Sequence, residues 1–199
     1  MARPRAFETK VALERAMGVF WQFGYEEASL PDLLTGMGLT RGSLYKAFKD
    51  KKNLFLIVLE LYESVAVDAA VETLNDKDTP DGRDRIIQMF EGLIAAAMNG
   101  DHRGCLLCTA AAGSASSDPD IAQTVHQGMT KMQGGLLAAI DAAPMFADLS
   151  NPERNRLANT LLTQYIGLQM LARSRLSLGI LQHAADAIED ILTGAAHRP

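Results

Sequence analysis

The chain has 199 residues, 48% of them apolar and 22% charged, with a formal net charge of −5. That length accommodates a small head and a larger second domain, and the composition is globular rather than disordered. No apolar run reaches the ~18 residues of a membrane span, and two cysteines, Cys105 and Cys108, are too few for a disulfide framework. The opening MARPRAFETK is basic with no apolar stretch behind it. A secretory signal is therefore not expected, no membrane partner is either, and a reducing cytoplasmic location is. The charge is uneven: residues 1–56 hold nine Lys/Arg against six Asp/Glu, a net +3, and the rest of the chain carries −8. A basic head on an acidic body is what phosphate contact by one end needs.

Taken in chain order, the elements are all helical. Ala12, Ala16, Val19, Phe20 and Phe23 recur at helical spacing, and Gly24 is expected to stop that first helix. Ser29-Leu30-Pro31-Asp32 resembles a capping box with Asp in place of the usual Glu or Gln, opening a short helix to about Met37. Gly38 supplies a left-handed turn, and Thr40 can cap a helix from about Arg41 to Phe48. A longer helix starts near Lys51, with Leu54, Val58, Leu61 and Val65 on its apolar face. Residues 75–84 read as an acidic loop, and a short helix is expected over Arg103–Ala112. Thr79-Pro80, Asp118-Pro119 and Asn151-Pro152 each place a capping residue before a proline, which is tolerated where the first helical N–H lacks a partner anyway. Helices are thus expected from about 80, 119 and 152, and a last one from Ser177 to Leu192. The prediction is an all-α protein of about nine helices. Residues 1–52 are expected to form a three-helix helix-turn-helix domain and residues 53–199 a helical ligand-binding and dimerisation domain, with no flexible linker between them.

Residues 28–54, ASLPDLLTGMGLTRGSLYKAFKDKKNL, carry the function. One short helix braces, a glycine turn redirects the chain, and a second helix with a small polar first turn can enter the major groove. Gly42 and Ser43 let the backbone approach DNA, and Arg41 can bond a guanine edge or a phosphate. Tyr45 and Lys46 can reach phosphates, while Leu44 and Phe48 form the buried side. Lys51 sits in the first turn of the next helix, where free N–H groups also favour a phosphate. Ser29 and Thr40 complete the candidate DNA-binding set.

Phe20, Gly24, Tyr25, Ser29, Leu30, Gly38, Leu39, Thr40, Gly42, Ser43, Leu44, Tyr45, Phe48, Lys51 and Leu54 together resemble the DNA-binding head of the TetR family of bacterial transcriptional regulators. Lys46 and Ala47 depart from the family pattern, standing where aromatic and His residues are frequent. The resemblance covers about residues 7–56 and is architectural beyond. It implies a homodimer on an inverted repeat of double-stranded DNA. It also implies a dimer bundle from the last two helices, mapping loosely onto Asn151–Leu176 and Leu178–Leu192, and an unknown small-molecule ligand whose binding respaces the recognition helices and releases the operator. A repressor is the usual role.

Within the body, Met89, Phe90, Leu93, Cys105, His126, Met129, Tyr165 and Gln169 are candidate ligand contacts, although helical spacing favours ordinary core for the methionines and His126 reads rather as a satisfied core or surface histidine. Leu161, Leu168, Leu181 and Ile188 are candidate dimer residues. Cys105-x-x-Cys108 with His102 invites a metal or thiol-sensing reading, but one such motif offers half the ligands of a structural zinc site, and Leu106 and Leu107 favour burial. No metal or cofactor is expected. Trp21 is expected to pack, and Arg3-Pro4-Arg5 either lies in a minor groove or is a solvated terminus. There is no nucleophile–base grouping and no phosphate-binding glycine loop, so the sequence does not read as an enzyme.

Overall fold

A computed structural model describes residues 5–175 and 178–196. Its helices are α1 (Arg5–Glu27), α2 (Leu30–Met37), α3 (Arg41–Phe48), α4 (Lys51–Tyr62), α5 (Asp68–Leu74), α6 (Gly82–Met98), α7 (Leu106–Ala112), α8 (Pro119–Asp141), α9 (Asn151–Arg173) and α10 (Leu178–Ala196). Among the described residues there is no strand. Between α4 and α5 the chain forms a π-helical turn, Glu63–Val67, which no local sequence signal announces. The contacts divide the chain into two units. The first comprises the chain up to Ala66 together with Leu106–Gly128, and the second comprises Val67–Cys105 and the chain from Met129 onward.

In the first unit, α1 buries Ala12, Ala16 and Phe20, four residues apart on one face. Phe23, expected on the same stripe, is instead exposed. Gly24 does break the helical backbone, at φ 78° and ψ 177°, but helical turns resume to Glu27 rather than stopping there. The kink sets the Tyr25 ring 4.8 Å from that of Phe55 of α4, and Phe20 lies against Phe55 at the same separation. Trp21 packs edge-on against Tyr62, as expected of a packing residue. Leu33, Met37, Leu44, Phe48, Leu54, Val58 and Leu59 close this core.

In the second unit, α6 begins at Gly82 under an Asp81 cap, not at residue 80. The buried Arg85 explains the delay: its guanidinium donates to the carbonyls of Thr79 (2.6 Å) and Pro80 (3.2 Å), holding that stretch out of the helix. Gly82 itself donates to the Ala142 carbonyl and lies so close to the end of α8 that a Cβ would run into the Ala139 carbonyl. α8 starts at Pro119 as expected, whereas α9 is capped one residue early, by Ser150 in a capping box with Glu153. α7 is shorter than expected: residues 103–105 precede it, with Gly104 at φ 68°. Met132, Leu136 and Ile140 of α8 and Leu157, Leu161, Tyr165 and Leu168 of α9 are buried, as their spacing predicts.

Candidate nucleic-acid interface

The turn between α2 and α3 is set by three local devices. Ser29 and Asp32 form a reciprocal capping box at the start of α2, so Asp serves where Glu or Gln is usual. Gly38 takes the left-handed conformation, φ 67° and ψ 35°, and its N–H and that of Leu39 return to the Thr35 and Leu34 carbonyls. Thr40 then caps α3, its Oγ1 accepting from the Ser43 N–H at 3.3 Å. The result is an eight-residue helix with two faces. Leu44 and Phe48 are buried, and Arg41, Gly42, Ser43, Tyr45, Lys46 and Ala47 are exposed.

The chemistry of the exposed face follows. Ser29 and Thr40 are already committed to helix caps, and Ser43 Oγ lies 3.0 Å from Thr40 Oγ1. The side chains of Arg41, Tyr45 and Lys46, by contrast, make no hydrogen bond or ion pair among the described residues. Three sets of donors on one helix face thus remain for an external acceptor. No atom lies within 4 Å of where a Gly42 Cβ would be. A partner surface can therefore come against the backbone there.

Lys51 is placed differently from the others. Half-buried in the first turn of α4, it donates to the Glu26 carbonyl at 3.3 Å and stands 4.7 Å over the Tyr25 ring. Burial lowers its pKa from the ordinary value, the Glu26 charge opposing that effect. The Tyr25 hydroxyl shifts upward, first through burial and then through neighbouring carboxylates. Lys51 thus ties α1 to α4 as well as offering charge at a helix start.

Three residues near this surface were not anticipated. Lys49 is exposed and has a positive φ, 66°, in the turn between α3 and α4; its basic, non-helical place after Phe48 was the available signal. Asn53 donates from Nδ2 to the Phe48 carbonyl, joining α4 to the end of α3. Lys52 meets Asp118 and Asp120 at 2.7 Å each, a pairing across more than 60 residues that no local pattern encodes.

Of the eight candidate ligand contacts, seven fall in the second unit, and His126 lies exposed in the first. Phe90 and Tyr165 are buried with ring centroids 6.4 Å apart, and Gln169 donates to the Tyr165 hydroxyl. Met89 and Cys105 are buried, while Leu93 and Met129 are half-buried. Only Phe90 of the eight lines an open groove of about 660 Å³ between α6 and α10. Leu161, Leu168, Leu181 and Ile188 are buried within the subunit itself. Another groove, of about 460 Å³ between α9 and α10, is lined by Leu157, Thr160, Ala187, Ile191, Gly194 and Ala195 with Arg156 and Asp190 near them. Cys105 and Cys108 are buried thiols, not a disulfide. Arg3 and Pro4 of the basic arm lie outside the described residues. No described helix is long and apolar enough to cross a membrane.

Residues 12–58, the stretch that builds this surface, match the family model described as bacterial regulatory proteins, tetR family. The chain is 26% identical over 197 residues to an uncharacterized HTH-type transcriptional regulator, YezE, of Bacillus subtilis (strain 168), covering 96% of this chain and all of that one. It is 45% identical over 60 residues to the HTH-type transcriptional repressor ComR of Escherichia coli (strain K12), 30% of this chain and 29% of that one. Among solved structures, the TetR family transcriptional regulator CifR, a cysteine mutant complexed with a 26-bp double-strand operator DNA, superposes with a TM-score of 0.80 at 27% identity, covering 96% of this chain and 98% of that one. Helix content, the two-faced α3 and these likenesses agree: the chain is a transcriptional regulator of the TetR family.

Proposed function

We propose that the protein is a cytoplasmic homodimeric repressor that binds an inverted repeat in double-stranded operator DNA and leaves it when a small molecule binds the body. The observation that carries the DNA-reading part is the exposed face of α3, with uncommitted donors on Arg41, Tyr45 and Lys46 around an open Gly42. In this reading residues 1–52 are the DNA-binding domain and residues 53–199 the ligand-binding and dimerisation domain. Arg41 reads a base edge, Tyr45, Lys46, Lys49 and Lys51 hold phosphates, and Ser29 and Thr40 act through the caps they make. The α9–α10 groove is the seam that meets a second copy, with Leu161, Leu168, Leu181 and Ile188 buried in the body of the same two helices. The ligand is taken by the second unit around Phe90, Tyr165 and Gln169, with Met89, Leu93, Cys105 and Met129 as further lining.

Selection of bound duplexes from a random pool at stated, near-physiological salt tests the reading. An enriched inverted repeat supports it. Absence of enrichment from folded, dimeric and ligand-stripped protein would refute it.

A further inference from the structure

Residues 114–120 touch the helices on either side of the helix-turn-helix, α1 and α4, at one place each. Ser114 donates to the Glu26 carboxylate at 2.5 Å, in the last turn of α1. Lys52, in the first turn of α4, is held by both Asp118 and Asp120 at 2.7 Å. The two tethers are themselves joined, because Lys51 donates to the Glu26 carbonyl and Asn53 to the Phe48 carbonyl at the end of α3. The turn of α4 that Lys52 anchors is therefore the same turn that holds the recognition helix by its C-terminal end. Asp118 is fixed in its own right, since its carboxylate also accepts from the N–H groups of Asp120 and Ile121 at the start of α8. All of these residues belong to the first unit.

We infer that Lys52, Asp118 and Asp120 form a positioning clasp for the recognition helix, so that two carboxylates promote DNA binding rather than oppose it. The inference rests on α3 being the DNA-reading helix. Electrostatics alone predicts the opposite sign. Two acids near a phosphate surface repel DNA, and an ion-paired lysine is withheld from it, so neutralising the acids would tighten binding. If the acids instead hold the first turn of α4, neutralising them leaves the end of α3 less ordered before binding. That ordering then has to be supplied by the DNA complex, and affinity falls. An exposed ion pair of this kind adds little to the stability of the fold as a whole, so the effect belongs to placement of α3.

The experiment measures affinity and its salt dependence on the duplex that the unaltered protein enriches from a random pool. That prior enrichment separates failure of the DNA-binding reading from failure of the clasp. Lys52→Gln and the pair Asp118→Asn with Asp120→Asn are each expected to weaken binding about five- to tenfold. All three changes together should be no worse than either set, because one device has been removed. Lys52→Arg, which keeps the charge and can span both carboxylates, should stay within about twofold of the unaltered protein. The salt slope of Lys52→Gln should not change. Tighter binding by the Asp variant, a slope shallower by about 0.9 in Lys52→Gln, or unchanged affinity in both would overturn the clasp. Asp118→Asn keeps a side chain able to cap α8, and thermal unfolding checks that it folds. Should the double variant fail to fold, Lys52→Gln against Lys52→Arg still decides: loss in the first and rescue in the second supports the clasp, and equal affinity overturns it.

Discussion

Replacing Gly42 by Ala separates the stability of the recognition helix from its access to DNA, because the two should move in opposite directions. Gly42 is the second residue of α3, exposed, with nothing within 4 Å of the new Cβ and no positive φ to strain it. Glycine inside a helix costs roughly 0.5–1 kcal/mol relative to alanine through backbone entropy. Near the start of an eight-residue helix the lower end applies. A gain of about 0.5 kcal/mol raises Tm by about 1–2 °C in a chain of this size. On DNA the same methyl stands on the exposed first turn, beside Arg41 and Ser43. A close approach of the backbone to the groove has no room for it, and a loss of about 1.4 kcal/mol is tenfold in Kd. Thermal unfolding by circular dichroism gives the first quantity and anisotropy of a labelled, selected duplex the second. A higher Tm with unchanged affinity would refute the idea that the backbone at Gly42 faces the groove closely. A lower Tm would refute the open surroundings on which both numbers rest.

Other expectations follow from particular contacts. Lys51→Met keeps the aliphatic stem but removes the Glu26 and Tyr25 contacts, so stability should fall by about 0.5–1 kcal/mol. If Lys51 also holds a phosphate, its loss weakens all duplexes alike and reduces the salt slope by about 0.9; an unchanged slope removes Lys51 from the phosphate contacts. Gly82→Ala forces the first turn of α6 away from the Ala139 carbonyl and should cost about 2–3 kcal/mol in denaturant unfolding, whereas Gly134→Ala, in open space on α8, should be stabilising. Equal effects at the two glycines would count against the packing described here. Hydrogen bonding from Lys52 holds the Asp118 pKa below its ordinary 3.8, so the stabilisation it gives is present above that value and is lost as pH falls through the lowered one. The same contacts raise Lys52 above its ordinary 10.5, so its share is present below 10.5 and lost as pH rises through the raised value. Acid unfolding curves of the unaltered protein and Asp118→Asn should therefore converge at the lowest pH and separate above about pH 4; a gap that does not change with pH would contradict the pairing.

The parts of this fold that the sequence discloses are those that neighbouring residues decide. Ser29, Gly38 and Thr40 are devices acting over three or four residues, and they fix the limits of α2 and α3 without tertiary help. The burial of Leu44 and Phe48 against the exposure of Arg41, Tyr45 and Lys46 follows from helical spacing alone. Misreadings occur where distant contacts prevail. Thr79-Pro80 carries a sound start signal, yet Arg85 captures the carbonyls of both residues and α6 begins two positions later. Gly24 was expected to end α1, but the chain continues through it because Tyr25 then packs on Phe55. The ion pairs of Lys52 with Asp118 and Asp120 link positions too far apart in sequence for any periodicity to register.

Charge illustrates the same limit and changes how DNA attraction should be understood here. The net +3 of residues 1–56 suggests a basic head. Yet the first unit as it is assembled also contains Glu60, Glu63, Asp118 and Asp120, so it carries nine Lys/Arg against ten Asp/Glu, a net −1. A unit that is faintly acidic overall cannot hold DNA through its mean field. What remains is local arrangement: from Leu33 to Lys49 there is no acidic residue, and Arg41, Lys46 and Lys49 are all exposed there. Two of the acids, Asp118 and Asp120, are paired with Lys52, which offsets one of their two charges, while the recognition helix keeps its own. Because each phosphate contact adds about 0.9 to the salt slope, such a surface gives a shallow slope per subunit and places more of the selectivity on Arg41 and on the close fit at Gly42. A steep slope, of the kind a broad basic face produces, would be inconsistent with this distribution of charge.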